Sequence, residues 1–490
     1  MKMMKKLLSM LLIISMLSGM ALIAPSAAEQ RVDWVEIATE ADLSKLVDED
    51  NYDKNFKLTA DITMTGTWET VDYYEGCFDG DGHKIIFTQK QSDPMFDTIG
   101  GIVKNLVLEN MSVEGTNNEY TVGLVNKNNG QIWNVEVVNA TITGPGKNVG
   151  LINLNNGVVS HVTLDATIKG AGDRAGIVCW NSEGATVRYC MSYGTYLTNF
   201  QLGGIVGNNL GTIENCLNFA TVVAINCSAG GVSGPTRSKT AKIINCGNYG
   251  TVIAMRPGGS IEAVAGGITF MEQNTVLELT NSFNAGKVIV KNGTNMCGSL
   301  VCRFTESLYQ NTTVNLTNSY SVENMLYTFD QLFTAETAGT YADATYSQLA
   351  DNAISVCGVN GTLVSADTFK SPEMLTKLGS AFVANTGEDK DLYPILLAAD
   401  TTEEPMPEGE EVDPNPGTTN PPATGDNETE PTTEPVTEPV TKPVTNSTEA
   451  NTSSVDEDDS GCSSTIGGVS VVLIGFAAMA SVMVKKKKED

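Results

Sequence analysis

A repeat of about 27 residues, led by glycine, fills the middle of this 490-residue chain. Two clear copies read GGIVGNNLGTIENCLNFATVVA from Gly203 and GGVSGPTRSKTAKIINCGNYGTVIA from Gly230. Alignment of seven copies places one glycine of each in a column, namely Gly123, Gly150, Gly176, Gly204, Gly231, Gly267 and Gly298. These glycines are 27, 26, 28, 27, 36 and 31 residues apart, so the insertions fall late in the array. A unit this short cannot bury its apolar side chains alone, and only stacking of the copies supplies a core.

Each copy contains short β-type runs separated by Gly or Asn, and none contains a helical period long enough to form a helix. The sequence therefore predicts an all-β protein whose core is a right-handed parallel β-helix, with one copy per coil. Neighbouring coils would pair through their backbones at a spacing of roughly 4.8 Å. In the copy at Gly203, we expect Ile205, Ile213 and Val222 to point inward, one from each face.

Polar residues recur at fixed places in the repeat and predict structural ladders. Asn215, Asn245 and Asn281 align, and Asn218 with its equivalents follows three residues later. Asparagine tolerates left-handed backbone angles and forms local hydrogen bonds, so we expect both sets at corners, with stacked amides. A second column holds Cys190, Cys216 and Cys246, with Ser282 and Ser319 in the same slot of later copies. Stacked buried thiols explain this slot best, while a disulfide or a metal site in the column is the alternative.

Composition divides the rest of the chain into segments with different expected roles. Residues 1–28 read as a secretory signal and residues 464–484 as one C-terminal transmembrane helix, followed by a lysine-rich cytoplasmic tail at 485–490. Residues 29–98 and 325–399 are expected to cap the β-helix repeats of residues 99–324, with Thr39 as the N-cap of a short helix. Residues 400–463 are rich in Pro, Thr and Glu and predict a disordered stalk.

Charge excludes one class of partner. The formal net charge is −28, and between residues 401 and 460 sixteen acidic residues accompany a single basic one, Lys442. A nucleic acid would be repelled, so no nucleic-acid partner is expected. The predicted location is the outside of the cytoplasmic membrane, with the head displayed at the cell surface.

The best-preserved copies, together with FDGDGHKI upstream and FKSPEMLTKLGSAFV and LYPIL downstream, resemble the GLUG-motif family of bacterial cell-surface proteins. The resemblance covers roughly residues 34 to 396. It implies a right-handed β-helix and a surface location. Separately, the stalk, the apolar span and the lysine tail together resemble those of surface proteins from Gram-positive, clostridia-type bacteria. Modules of this family occur in adhesins and in the non-catalytic parts of IgA-cleaving metallopeptidases, so the resemblance transfers no catalytic residue.

Three motifs imitate chemical sites but favour structural roles. GGIVGNN is followed by another β-type run, where a nucleotide-binding loop needs a helix. The two histidines, His83 and His161, do not form an H-E-x-x-H pair. Asp79 and Asp81 begin like a calcium loop, but an Asp-Gly hairpin turn is favoured because the later ligands are missing. No cofactor, no metal and no catalytic residue is predicted.

One column of aromatic residues is the candidate ligand-binding site. Tyr193, Phe219 and Tyr249 align, and Phe283 and Tyr320 occupy a neighbouring slot. An outward-facing strip would suit a glycan or a host or cell-surface protein, and an internal packing stack is the alternative. The function favoured is adhesion or ligand binding by a membrane-tethered, non-enzymatic surface protein. The alternatives are a carbohydrate-active β-helix enzyme, either a polysaccharide lyase or a hydrolase, and a cell-envelope spacer without a specific ligand.

Overall fold

The computed structural model describes residues 32–255, 263–272, 274–291, 297–303, 311–329, 346–349, 358–385, 394–397 and 404–405. These residues belong to one compact unit, and they confirm the predicted all-β, β-helix-like fold built from long parallel sheets. Within those ranges no helix is both long enough and apolar enough to cross a membrane. The predicted signal, transmembrane helix, cytoplasmic tail and nearly all of the stalk lie outside the described residues.

One face of the coils is a 14-stranded sheet in which successive coils pair in parallel, apart from one antiparallel strand at its end. Three of its strands are longer than the rest, at Tyr120–Asn128, Asn148–Asn155 and Arg174–Asn181. Before them come Val71–Tyr74 and Phe96–Ile99, and after them Gln201–Gly203, Val206–Asn209, Ala229–Gly230, Pro235–Thr236, Ala265–Gly266, Thr269–Met271, Cys297–Gly298, Val301–Arg303 and the antiparallel Gly358–Val359.

The other faces form a 25-stranded sheet. Its first columns contain Trp34–Ile37, Asn55–Leu58, Cys77–Asp79, Ile102–Glu109, Gln131–Gly144, Val158–Gly170, Thr186–Arg188, Thr212–Glu214, Ala241–Ile244, Val276–Thr280 and Thr313–Thr317. The columns that follow contain Ile62–Met64, Lys84–Phe87, Ser112–Glu114, Met191–Thr198, Leu217–Asn218, Thr221–Ala224, Gly247–Asn248, Val252–Ala254, Phe283–Asn284, Val288–Lys291, Tyr320–Val322, Leu326–Phe329, Ser347–Gln348 and Thr362–Val364.

The helices are short and lie near the two ends of the described chain. Glu40–Leu46 and Glu49–Asn51 are 3-10 helices, and the first has the predicted N-cap: Asp42 N donates to Thr39 Oγ1 and Thr39 N donates to Asp42 Oδ2. The α-helices Ala366–Phe369 and Pro372–Leu378, called here the C-terminal helices, are followed by an antiparallel pair, Phe382–Val383 with Ile395–Leu396.

The coils begin inside the segment predicted as an N-terminal cap. Trp34–Ile37 pairs in parallel with Asn55–Leu58, which pairs with Cys77–Asp79, which pairs with the start of Ile102–Glu109. The boundary predicted at residues 98 and 99 therefore marks no change of fold. The expected Asp-Gly turn is present, because Asp81 and Gly82 both have positive φ and His83 N donates to Gly80 O at 2.7 Å. The prediction of a hairpin at this turn is wrong. The two strands that flank the turn, Cys77–Asp79 and Lys84–Phe87, pair with strands of neighbouring coils rather than with each other.

The interior is mainly apolar, as predicted from the repeat, and Ile205, Ile213 and Val222 are fully buried. The register of most copies matches the sequence alignment, with corrections in the first and last copies. In the first, Gly150 pairs with Val122 rather than with Gly123, ahead of a register shift between Val122 and Val125. Gly298 pairs with Gly266 rather than taking the place of Gly267, so the final copy is displaced by one residue. The second glycine of each pair also has a steric reason: a Cβ on Gly204 or Gly231 would overlap the side chain of a buried asparagine in the coil interior.

Candidate ligand-binding surfaces

A left-handed corner runs along the coils where the sequence predicted one. Eight residues in register have φ between 45° and 57°: Asn105, Asn134, His161, Tyr189, Asn215, Asn245, Asn281 and Asn318. The predicted amide ladder is present, since Asn245 Nδ2 donates to Asn215 Oδ1 at 2.9 Å and Asn281 Nδ2 to Asn245 Oδ1 at 3.0 Å. Asn218, which was also expected at a corner, instead lies inside the coil.

In the middle of this corner, the aromatic side chains of His161 and Tyr189 take the place of asparagine amides. The His161 ring lies 4.3 Å from the Trp133 ring and 4.8 Å from the Tyr189 ring, centroid to centroid. Burial, with a smaller contribution from the Arg188 charge, lowers the pKa of His161 to about 4. A neutral imidazole therefore continues the stack, which agrees with the predicted corner role of this residue.

The cysteine column is a buried ladder of free thiols. Cys190, Cys216 and Cys246 have no exposed surface, and each is a free cysteine. Cys190 N donates to Cys216 Sγ at 3.4 Å, and Cys246 N donates to Ser282 Oγ at 3.1 Å, so serine continues the same bonding pattern. Burial raises the pKa of Cys216 well above that of an ordinary thiol. These thiols are packing elements and hydrogen-bond partners in the structure.

Two further asparagine ladders run through the interior, and sequence reasoning did not identify them as buried. The first joins Asn128, Asn155, Asn181 and Asn209 by amide hydrogen bonds of 2.8 to 2.9 Å, and all four side chains are fully buried. The second joins Asn218, Asn248 and Asn284 by bonds of 2.7 Å. For the first ladder the available signal was a fixed position, since each of its asparagines lies five residues after the aligned glycine of its copy. A buried amide needs a partner, and only a stacked copy supplies it.

The aromatic column is a stack, and its two slots lie where the sequence placed them. The rings of Tyr193 and Phe219 are 4.9 Å apart and nearly parallel, and those of Phe219 and Tyr249 are 5.4 Å apart. Phe283 and Tyr320 pair with each other in the neighbouring slot. Tyr193, Phe219 and Tyr249 are partly exposed, whereas Phe283 is fully buried.

The C-terminal helices cover the later part of this column. Phe369 packs against the Phe283 ring at 5.0 Å, and Phe382 does so at 5.5 Å. Tyr249 OH donates to Pro394 O at 2.6 Å. The partly exposed pair formed by Tyr193 and Phe219 is the portion of the column that lies beyond these contacts.

A second surface, on the outer side of the 14-stranded sheet, was not found from the sequence. It is called here the polar face and consists of Asp97, Tyr120, Asn126, Asn148, Asn153, Arg174 and Trp180, all of them partly exposed. Asn126 Nδ2 donates to Asp97 Oδ1 at 2.8 Å and Asn153 Nδ2 to Asn126 Oδ1 at 2.7 Å, so one row crosses three coils. The missed signal was the slot of the closing glycine in the repeat, where Asn126 and Asn153 replace Gly207 and Gly234.

Aromatic and charged groups flank this amide row. The Arg174 guanidinium lies 4.6 Å from the centre of the Trp180 ring. Asn148 Nδ2 donates to Asn153 Oδ1 at 2.7 Å, and Asn148 Oδ1 has no hydrogen-bond partner among the described residues. Burial, followed by the nearby Asp97 charge, raises the pKa of Tyr120. Amide, hydroxyl and ring groups on one flat face are the groups that bind sugar hydroxyls and sugar faces.

Within the described ranges, no three side chains of His, Cys, Asp or Glu are grouped so that they could hold a metal ion. Asp79, part of the motif that imitates a calcium loop, instead lies 3.6 Å from the Lys104 ammonium, and Asp81 lies 2.9 Å from that of Lys57.

Comparison with known proteins gives structural neighbours only. No family model and no curated protein matches the chain. Among solved structures, a candidate immunoglobulin A1 protease from Bacteroides ovatus aligns with 18% identity and a TM-score of 0.41, over 74% of this chain and 92% of that one. A protein named IgA1 Protease aligns with 16% identity and a TM-score of 0.38, over 63% of this chain and 22% of its own length.

Proposed function

We propose that this chain is a non-enzymatic bacterial surface protein that binds a glycan through the polar face of its β-helical head. Support comes chiefly from the amide row Asp97–Asn126–Asn153, in which three coils present hydrogen-bonding groups side by side. Strand pairing sets these groups about 4.8 Å apart, a regular spacing suited to an extended chain ligand. The head is held outside the cell by the C-terminal anchor inferred from the sequence, as an adhesin of the GLUG-motif type would be.

A rigid, repeated surface suits binding better than catalysis. The polar face contains a single carboxylate, Asp97, whereas glycosidic bond cleavage commonly uses a pair of them. Asp97 Oδ1 also accepts from Asn126 Nδ2 at 2.8 Å and from the Tyr120 hydroxyl at 3.4 Å, so both groups already form hydrogen bonds. Ligand capture therefore requires no further residue, while a hydrolase or lyase would need a second acidic or basic group at the same place.

The test is a glycan-array screen of the purified chain, followed by binding measurements on any hit. Asn126→Ala with Asn153→Ala is expected to weaken binding at least about tenfold, since two contacts of about 0.7 kcal/mol each are lost. Asn129→Ala with Asn156→Ala is the matched control, because these exposed amides form a similar 2.9 Å bond in the same coils but outside the polar face. Equal losses in both variants would defeat the assignment of the site.

The same screen separates the rival surface and the rival functions. If Tyr193→Ala with Phe219→Ala abolishes binding while the polar-face variant retains it, the aromatic column is the site. Turnover of any polysaccharide in the panel would replace the binding proposal with an enzymatic one. A spacer without a ligand predicts no glycan binding by any variant.

A further inference from the structure

One buried cation lies on the strand Ile102–Glu109, ahead of the first aligned copy, and is covered by the beginning of the stalk. The Lys104 side chain is 1% exposed. Its ammonium donates to Glu404 Oε1 at 2.8 Å and to the carbonyl of Pro405 at 3.1 Å. These partners are 300 residues away in sequence, so the contact joins two ends of the head.

The site recognises both residues of the Glu-Pro pair. Asn105 Nδ2 donates to Glu404 Oε1 at 2.9 Å and to Asp79 Oδ1 at 3.1 Å, which aligns the carboxylate between an amide and an ammonium. Pro405 is itself buried. Burial alone lowers the pKa of Lys104, but the hydrogen bond to Glu404 and the charge of Asp79 outweigh it and raise the pKa above its ordinary value. A buried ammonium of this kind is stable only when it is paired.

The chain must return along the coils to make this contact. Tyr249, which binds Pro394, lies five coils beyond the coil of Lys104, a distance of roughly 24 Å at 4.8 Å per coil. Ten residues separate Pro394 from Glu404, and they can span about 35 Å when extended. The base of the stalk is therefore fastened near the start of the repeats.

The stalk contains three more copies of the same dipeptide. Thr-Glu-Pro occurs at residues 429–431, 433–435 and 437–439. The contacts described above are made to the Glu carboxylate and the Pro carbonyl, so each of these copies carries the groups that the site recognises. The Pro ring also fixes φ and reduces the entropy lost on binding.

We propose that Lys104, Asn105 and Asp79 form a receptor site for Glu-Pro peptides, which Glu404 and Pro405 fill within their own chain, and that the Thr-Glu-Pro repeats of a second copy's stalk are its partner. Glu404 and Pro405 are tethered to the site and therefore have an effective concentration in the mM range. In dilute solution they occupy the site in preference to the stalk of a second copy. Exchange between copies then requires dense display, which links heads to neighbouring stalks.

The test uses an acceptor variant of the full chain in which every Glu-Pro pair is removed, with Gln at positions 404, 430, 434 and 438. The probe is the labelled peptide TTEPVTEPV, which corresponds to residues 432–440. We expect the acceptor to bind it at least about tenfold more tightly than the wild-type chain, whose site is filled. The matched control carries the same charge change at acidic residues not followed by proline, namely Glu403→Gln, Glu408→Gln, Glu428→Gln and Glu449→Gln, and should behave as the wild type.

Specificity is tested in the same assay. The peptide with Gln in place of both Glu residues should not bind, and Asn105→Gly in the acceptor should weaken binding severalfold while keeping the left-handed backbone and Lys104. Labelled acceptor should also bind the wild-type chain, whose stalk repeats are intact, but not a second acceptor. Equal peptide binding by wild type and acceptor, binding of the Gln peptide, or no acceptor complex with the wild-type chain would each overturn the proposal.

Discussion

Asparagine columns at the corner and in the interior of the coils use the same residue for different physical reasons. At the corner, Asn215 has φ of 53° and a partly exposed side chain, so the backbone conformation selects the residue. In the interior, Asn155 is fully buried, and its φ is not positive. There the amide is selected by its donors and acceptors, which tie one coil to the next.

The two columns also differ in how much substitution the repeat itself tolerates. Histidine and tyrosine replace asparagine at the corner, at His161 and Tyr189, and adopt the same left-handed angles. The described interior ladder from residue 128 to residue 209 keeps asparagine in all four coils. A corner needs a residue that accepts positive φ, whereas a buried ladder needs both a donor and an acceptor at every step.

The largest effect is expected from breaking the interior ladder with Asn155→Ala. This change removes the donor bonded to Asn181 Oδ1 and one of the two acceptors of the Asn128 amide, which keeps only the Val158 carbonyl, all in a fully buried environment. Unsatisfied buried groups cost about 1–3 kcal/mol each, so the free energy of unfolding should fall by about 3 kcal/mol. Urea denaturation measures it, and the exposed neighbour Asn156→Ala should change it by less than about 0.5 kcal/mol. Equal losses of unfolding free energy in Asn155→Ala and Asn156→Ala would show that the buried ladder stabilises the fold no more than an exposed amide does.

This contrast explains what the sequence could and could not predict. The period, the inward residues, the corner asparagines and the cysteine slot were all readable, because each is set by a local backbone or size requirement repeated in every copy. The burial of Asn218 was not, since its partner Asn248 lies in the next coil and the glycine that makes room for it, Gly204, is fourteen residues away. The polar face left one trace in the repeat, the replacement of the closing glycine by Asn126 and Asn153, but the Lys104 site depends on a contact between residues 300 apart, which no local pattern encodes.

Acid is expected to lower the free energy of unfolding through His161, which takes the place of asparagine at the corner. The pKa of this residue is about 4 in the folded chain and near 6.5 when unfolded, so the unfolded state binds its proton first. The neutral-state stabilisation is fully present above pH 6.5 and is lost as the pH falls toward 4. Allowing for the partial exposure of the ring, the loss should be about 2 kcal/mol.

The pH effect is isolated by comparing the wild type with His161→Asn, which places at this corner the residue type of Asn134 in the preceding coil. Denaturation midpoints of the two chains should diverge between pH 6.5 and pH 4, with the variant less sensitive to acid. Parallel curves would mean that carboxylates elsewhere, rather than this imidazole, govern the acid response.

Replacing Asn215 separates the backbone requirement from the amide bond. Asn215→Ala keeps a Cβ at φ 53° and should cost about 1.5 kcal/mol, because left-handed angles are strained for alanine. Asn215→Gly loses the same bond to Asn245 but relieves the strain, so it should cost only about 0.5 kcal/mol. Thermal or urea unfolding of the two variants gives the difference directly. If glycine proves as costly as alanine, the hydrogen bond rather than the backbone selects asparagine here.

The smallest effect is expected from a serine substitution in the cysteine column, because later copies of the repeat already have serine at this position, at Ser282 and Ser319. Ser282 Oγ accepts from Cys246 N at 3.1 Å and donates to Thr280 O at 2.9 Å, the same positions that Cys216 Sγ occupies relative to Cys190 N and Glu214 O. Cys216→Ser should therefore change the free energy of unfolding by less than about 1 kcal/mol, since both bonds are retained and little volume is lost. Cys216→Val removes the acceptor from the buried Cys190 N–H and should cost about 2 kcal/mol, despite its greater hydrophobicity. If valine is tolerated better than serine, burial alone selects the residue at this position. The cysteine column would then be selected by apolar packing, as in the core, and not by hydrogen bonding, as in the interior asparagine ladders.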